Sequence, residues 1–232
     1  MTAFIQAIEE ILVERSLTRH PFYQVWSQGG LSRESLREYA RQYYHLERAF
    51  PAYLQNLLAL APSEEARQAI RENLRDELGQ NPANPKPHTR LWLDFAEGLG
   101  LNEAQATTAV PIRETAAEVN AFTRLTKGSY LEGLAALLAY EAMLPAVSES
   151  KMDGLRKFYG LSDAKSLGFF STHAIADVQH SNAWRHLLAE AVQSKEDEAK
   201  AIQAVNQAVD AMWGFLDGVM QQFVPAEAKA MC

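Results

Sequence analysis

The segment FFSTHAIADVQHSNAW, residues 169–184, sets ionisable groups inside an apolar stripe. Phe169, His173, Ala176, Asp177, His180, Trp184 and Leu187 recur at three- and four-residue steps, which places them on one face of a helix. Two imidazoles and a carboxylate between Phe and Trp are costly in an apolar interior unless they are paired or hold a metal. Two further segments repeat the pattern. Glu141 follows Leu134, Leu137 and Leu138 on one face of a run otherwise made of Leu and Ala. Glu77 follows Ile70 and Leu74, and His88 opens a helix just past a proline-rich loop. Three carboxylates and three imidazoles are thus expected to face one core.

Imidazole and carboxylate without thiolate suit iron or manganese and argue against a zinc-finger type of site. Helix bundles hold carboxylate-bridged metal pairs with Glu and His from facing helices. Three carboxylates would largely neutralise two divalent ions. Taken singly, a histidine on an apolar face is more often a hydrogen-bonded core residue. Glu77, close to Glu72 and Asp76, reads equally well as part of a solvated acidic face. Their joint occurrence favours a metal centre.

The elements that must position these groups are helical, because almost the whole chain has a 3.6-residue period. Residues 32–61 carry Leu36, Tyr39, Tyr43, Leu46, Phe50, Tyr53, Leu54 and Leu57 on one broad face, with Ser32 as cap and a kink expected at Pro51. A helix over 63–78 ends at Gly79. The stretch NPANPKP, 81–87, forbids regular helix. Helices follow over 88–99 and 103–127, the second opened by an Asn102–Gln105 capping box. An apolar helix over 130–147 is expected to bend or end near Pro145, with a short helix over 149–159. Helices near 162–191 and 195–222, the last capped by Ser194, complete an all-α, single-domain bundle of seven or eight helices. Its core runs from about 8 to 222, with a tail at 223–232.

Bulk properties narrow the function. The chain has 232 residues, 47% apolar and 22% charged, with net charge −7. That balance disfavours nucleic acid or an anionic membrane as partner. One cysteine, Cys232, permits no intrachain disulfide. The N-terminal MTAFIQAIEEILVERS is acidic and amphipathic, unlike a signal peptide, and no stretch of about 18 apolar residues is found. A cytoplasmic protein is the expectation.

The order DELG, PHTRLW, a mid-helix YE, KMDGLRKFYG and THAIADVQH resembles the haem-oxygenase-like dimetal oxidases, over about residues 8–222. Within them it is most similar to the CADD-like branch, of the TenA/PqqC-like fold, which supplies para-aminobenzoate for folate synthesis. The resemblance implies metal ligands at Glu77, His88, Glu141, His173, Asp177 and His180, holding two ions of iron and/or manganese. It also implies dioxygen and an external reductant as co-substrates. In that branch the protein consumes its own side chains, a tyrosine giving the ring and a lysine the amino group. The matching residues are Tyr23, in HPFYQVW, and Lys151, with Tyr43 and Tyr140 near the metals. A lysine held out of water beside a metal pair would be a better nucleophile. Read without the resemblance, Lys151 is equally a solvated lysine and the tyrosines are core aromatics.

A dimetal oxidase acting on a separate fatty acid or amino-acid derivative is the alternative. A thiaminase reading lacks its cysteine. A haem oxygenase reading has His20 for an axial ligand but leaves Glu141, Asp177 and His180 unexplained. An interaction protein would need an apolar face the bundle does not use. A homodimer is compatible with the sequence, and the electron donor stays unidentified. His45 and Glu47 are further polar residues on the long helix, outside the primary ligand set.

Overall fold

A computed structural model describes residues 3–230, so Cys232 lies outside the described residues. The helices are α1 (Ala3–Glu14), α2 (Pro21–Ser27), α3 (Arg33–Leu60), α4 (Glu64–Glu77), α5 (His88–Gly98), α6 (Glu103–Thr107), α7 (Arg113–Gly128), α8 (Tyr130–Phe158), α9 (Ala164–Ala191), α10 (Lys195–Phe223) and α11 (Ala226–Lys229). No strand occurs among the described residues; a lone bridge joins Asn81 and Asn84. The segment count exceeds seven or eight because the expected set omits α1, although its sequence is amphipathic, and because α2, α6 and α11 are too short for periodicity alone to separate.

The long helices begin where short polar side chains satisfy free backbone N–H groups. Ser32, Ser63, Ser129, Asp163 and Ser194 each accept from the third helical N–H of their helix, and Asn102 with Gln105 forms the full capping box. His20 is also a cap. Its Nδ1 accepts from the Phe22 N–H and its Nε2 lies 3.2 Å from Asp217, so both ring nitrogens are already engaged.

Two expectations about continuity are corrected. The 103–127 helix is two helices, α6 and α7, since Pro111 lacks the N–H needed to continue. Pro145 does not end its helix, and 130–147 and 149–159 form the single α8. Pro51 lies inside α3, as the helix expected over 32–61 requires. Both prolines sit where packing outweighs one lost hydrogen bond: Met143, Leu144 and Val147 are buried around Pro145, and Phe50, Tyr53 and Leu54 around Pro51.

The core is built on α8, whose Leu134 to Ala139 are all fully buried, with α7, α9 and α10 packed against it. α8 is long and apolar enough to cross a membrane by composition, but 72% of its most apolar window is buried inside the bundle. A helix hydrophobic all round is what a central position requires.

One glycine decides how the proline-rich loop returns to the bundle. Gly79 has φ +65°, and a Cβ there would lie 2.4 Å from the Pro87 backbone nitrogen. That close approach brings the start of α5 back beside the end of α4. Gly79→Ala is expected to cost about 1–3 kcal/mol in backbone strain. In thermal unfolding this appears as a midpoint lowered by roughly 2–10 °C.

Candidate metal centre

α9 turns His173 and Asp177 into the interior, with His180 at its edge. α8 brings Glu141, α5 its first residue His88, α4 its last residue Glu77, and α3 brings Glu47; all four are buried. Their atoms gather in two triplets, Glu47–His88–His173 and Glu141–Asp177–His180, each with candidate ligand atoms within 4.8 Å of one another.

Each imidazole is oriented by a partner on its outer nitrogen. His173 Nδ1 lies 2.8 Å from the Phe169 carbonyl, which can only accept, so Nδ1 carries the proton and Nε2 is free. His88 Nδ1 lies 2.9 Å from Glu77 Oε1, and His180 Nε2 lies 3.0 Å from Asp76 Oδ2. Such outer carboxylates and carbonyls fix the tautomer and raise the basicity of the inner nitrogen. Glu141 is held at both oxygens, Oε1 accepting from Asn73 Nδ2 at 2.8 Å and Oε2 from Trp184 Nε1.

The inner atoms have no such partners. Glu47 Oε1, His88 Nε2, Asp177 Oδ2 and His180 Nδ1 are buried without a hydrogen bond. Buried carboxylate and imidazole atoms converging without hydrogen bonds are destabilising, and protons or cations relieve that. The donor set, oxygen and imidazole without sulfur, fits iron or manganese.

Electrostatics give the same picture. Burial pushes the Glu141 carboxyl up to about 8 and Asp177 up to about 6. Burial, then the Glu77 charge, holds Glu47 well above the usual carboxylate range. Burial would lower both His88 and His180. Glu77 overrides it to leave His88 at about 9, and Asp177 with Asp76 leave His180 at about 11. Protons on these groups occupy the role that cations would take, so metal binding would release them.

Five of the six ligands expected from the sequence lie in the two triplets: His88, Glu141, His173, Asp177 and His180. Glu77 stands one layer out, against His88 Nδ1. Glu47 takes the inner position. Its signal was available, since Glu47 continues the Tyr39, Tyr43 stripe at four-residue steps. His45, two residues earlier, points elsewhere and places Nε2 2.9 Å from the Ala109 carbonyl.

Beside the triplets lies a closed aromatic chamber. Lys151 is buried, and its Nζ donates to Tyr39 Oη at 2.6 Å. Nζ sits 4.9 Å from the Tyr23 ring centre, 5.0 Å from Tyr39 and 5.1 Å from Tyr43. Tyr23 Oη and Tyr39 Oη are 3.1 Å apart, and Tyr43 Oη is hydrogen-bonded to Tyr140 Oη. Burial lowers the Lys151 ammonium to about 7, with Glu47 partly opposing. Tyr39 reads in the sequence only as a core aromatic; its contact with Lys151 arises from α3 meeting α8. A cleft of about 440 Å³, lined by Asp76, Asn81, Asn84, Thr172 and Gln179 among others, leads from solvent to His88.

Residues 37–213 match the family described as iron-containing redox enzymes. The chain is 36% identical to the 4-aminobenzoate synthase of Nitrosomonas europaea, covering 95% of this chain and 92% of that protein. It is 32% identical to the Chlamydia muridarum 4-aminobenzoate synthase, covering 94% and 90%. Among solved structures, a TenA homologue from Pseudomonas syringae superposes with TM-score 0.81 at 19% identity, covering 94% of this chain and 93% of that one. A CADD-like protein from Nostoc punctiforme gives 0.77 at 19%, covering 96% and 97%. A Shewanella denitrificans domain with a heme oxygenase-like fold gives 0.77 at 14%, covering 94% and 90%. The chain has the haem-oxygenase-like fold and belongs to the iron-containing redox enzyme family.

Proposed function

We propose that this protein is a dioxygen-dependent dimetal oxidase that forms 4-aminobenzoate, drawing the ring from Tyr23 and the nitrogen from Lys151 of its own chain. The observation that carries this reading is the enclosure of a lysine amine among tyrosine rings next to two carboxylate–imidazole triplets. The relatives named 4-aminobenzoate synthase support the same product.

Glu47, His88 and His173 would hold one metal ion, and Glu141, Asp177 and His180 the other. Iron or manganese bound there would supply the activation of dioxygen, the oxidant that joining an amine to a phenol ring requires. The protein's part is to present the two donors. With its ammonium lowered to about 7, Lys151 is substantially neutral at physiological pH and carries a free lone pair. Its N–H is held by Tyr39 Oη, which aims the amine into the chamber rather than at solvent. Trp26 fixes the lysine from behind, its Nε1 donating to the Lys151 carbonyl at 3.2 Å. Phe170, with Nζ 5.4 Å from its ring centre, helps to keep water out. The Tyr23 ring lies under the amine. The cleft at His88 gives small molecules such as dioxygen and a reductant an approach from solvent.

Purified protein supplied with iron or manganese, a reductant and dioxygen, but no organic substrate, is expected to release at most about one equivalent of 4-aminobenzoate per chain. Lys151→Arg keeps a long basic side chain but cannot give up its nitrogen in the same way, and should yield no product by chromatography. Product from that variant at the wild-type level would remove Lys151 as donor.

Glu47→Ala should lower bound metal from two ions towards one in elemental analysis, without loss of helicity. Two ions retained in that variant would return the inner position to Glu77.

The depressed lysine also makes a stability prediction for the metal-free protein. The unfolded lysine holds its proton up to its ordinary value of about 10.5, while the folded one releases it near 7. Between those values the unfolded state binds more protons, so stability rises with pH there, and below about 7 the penalty is at its largest. Lys151→Met should therefore raise the thermal midpoint by a few degrees at neutral pH. The gain should shrink as pH approaches 10.5.

A further inference from the structure

One buried acid has no role in the site described so far. Glu118, on α7, is 2% exposed, and its Oε2 has no hydrogen-bond partner. No cation faces it. Its neighbours are phenols: with Tyr23, Tyr43 and Tyr140 it lines a small cavity whose other walls are apolar. The cavity measures about 10 Å³, close to the space needed by one water molecule. Such a water would lie between the Glu118 side chain and the side chains of Tyr23, Tyr43 and Tyr140.

Donor and acceptor accounting shows why the acid matters. Each phenol has a single proton. Between Tyr43 and Tyr140 one O–H is spent on their mutual hydrogen bond, so the other phenol must look elsewhere for its partner. An isolated carboxyl in such surroundings is neutral, because burial alone holds Glu118 well above the usual carboxylate range. It therefore stores one transferable proton in an otherwise dry interior.

We propose that Glu118 is the internal acid of this protein, passing a proton through one buried water to the Tyr43–Tyr140 pair. The transfer moves no electron. The Glu118 O–H bond breaks as a new O–H forms on the water. The water releases one of its protons to the nearer phenol oxygen, that phenol passes its own proton to the second, and the second phenol gives up its own proton to the dioxygen being reduced. Glu118 ends as a carboxylate. The proton is consumed in the reduction of dioxygen that the proposed function entails, and the inference rests on that reading for its kinetic test. A reaction that spends its own side chains runs once per chain, for which a single stored proton is more apt than an open channel to solvent.

Glu118→Gln keeps volume and hydrogen bonding but has no proton to give. In metal-free protein at neutral pH, the infrared difference between wild type and Glu118→Gln should contain the carbonyl band of a protonated carboxyl. In single-turnover experiments with metal, reductant and dioxygen, Glu118→Gln should form 4-aminobenzoate about 100-fold more slowly. Glu118→Asp should recover part of that rate, and Glu118→Gln should unfold at a temperature no lower than wild type. Absence of the protonated-carboxyl band, or wild-type kinetics in Glu118→Gln, would overturn the proposal. If wild type itself forms no 4-aminobenzoate, the reaction reading fails, and the infrared arm still decides whether Glu118 carries the proton.

Discussion

The dry interior of this bundle contains more acceptor atoms than its own donors can satisfy, and that imbalance governs its architecture. Glu47, Glu141 and Asp177 meet the inner nitrogens of three histidines in a space from which water is excluded. Outer partners at Asp76, Glu77, Asn73, Trp184 and the Phe169 carbonyl occupy the remaining polar atoms. Those partners aim the inner lone pairs at each other. Without cations, such an arrangement survives only by taking up protons, as the raised carboxyls of Glu141 and Asp177 express. The polar interior is thus a cost accepted for chemistry, opposed by the apolar packing of α8 and its neighbours.

α3 links that centre to the lysine chamber. Tyr39, Tyr43 and Glu47 follow one another at four-residue steps, so one face of one helix carries a lysine partner, a phenol of the buried pair and a candidate metal ligand. α8 does the same along a longer path. Glu141 and Lys151 are ten residues apart on a continuous helix, about 15 Å along its axis. Lys151 therefore enters the chamber from a continuous helix, not by curling back past a break at Pro145. Because both donors and ligands hang from rigid helices, their spacing is held by packing rather than by loops.

Much of this was legible in the chain itself. His173, Asp177 and His180 share a face by spacing alone, and Glu141 stands out because the residues before it on its face, Leu134, Leu137 and Leu138, are all leucine. Caps at Ser32, Asn102 and Ser194 follow from residue type. Glu47 was legible too, since its stripe is that of Tyr39 and Tyr43, whereas His45 cannot share it. Glu118 gave a similar sign, standing three residues after Thr115 and four before Phe122, both buried. The fate of Pro145 was not legible, because a proline's local cost is known from sequence but the packing that outweighs it is not.

Periodicity determined which residues of each helix face inward, since 3.6 residues per turn is a property of the backbone. It could not determine which inward faces meet. The exchange of Glu77 for Glu47 at the inner position, the capture of Lys151 by Tyr39 and the seclusion of Glu118 among phenols all depend on the relative height and rotation of separate helices. Those are set only when side chains from distant parts of the chain interlock in one close-packed core.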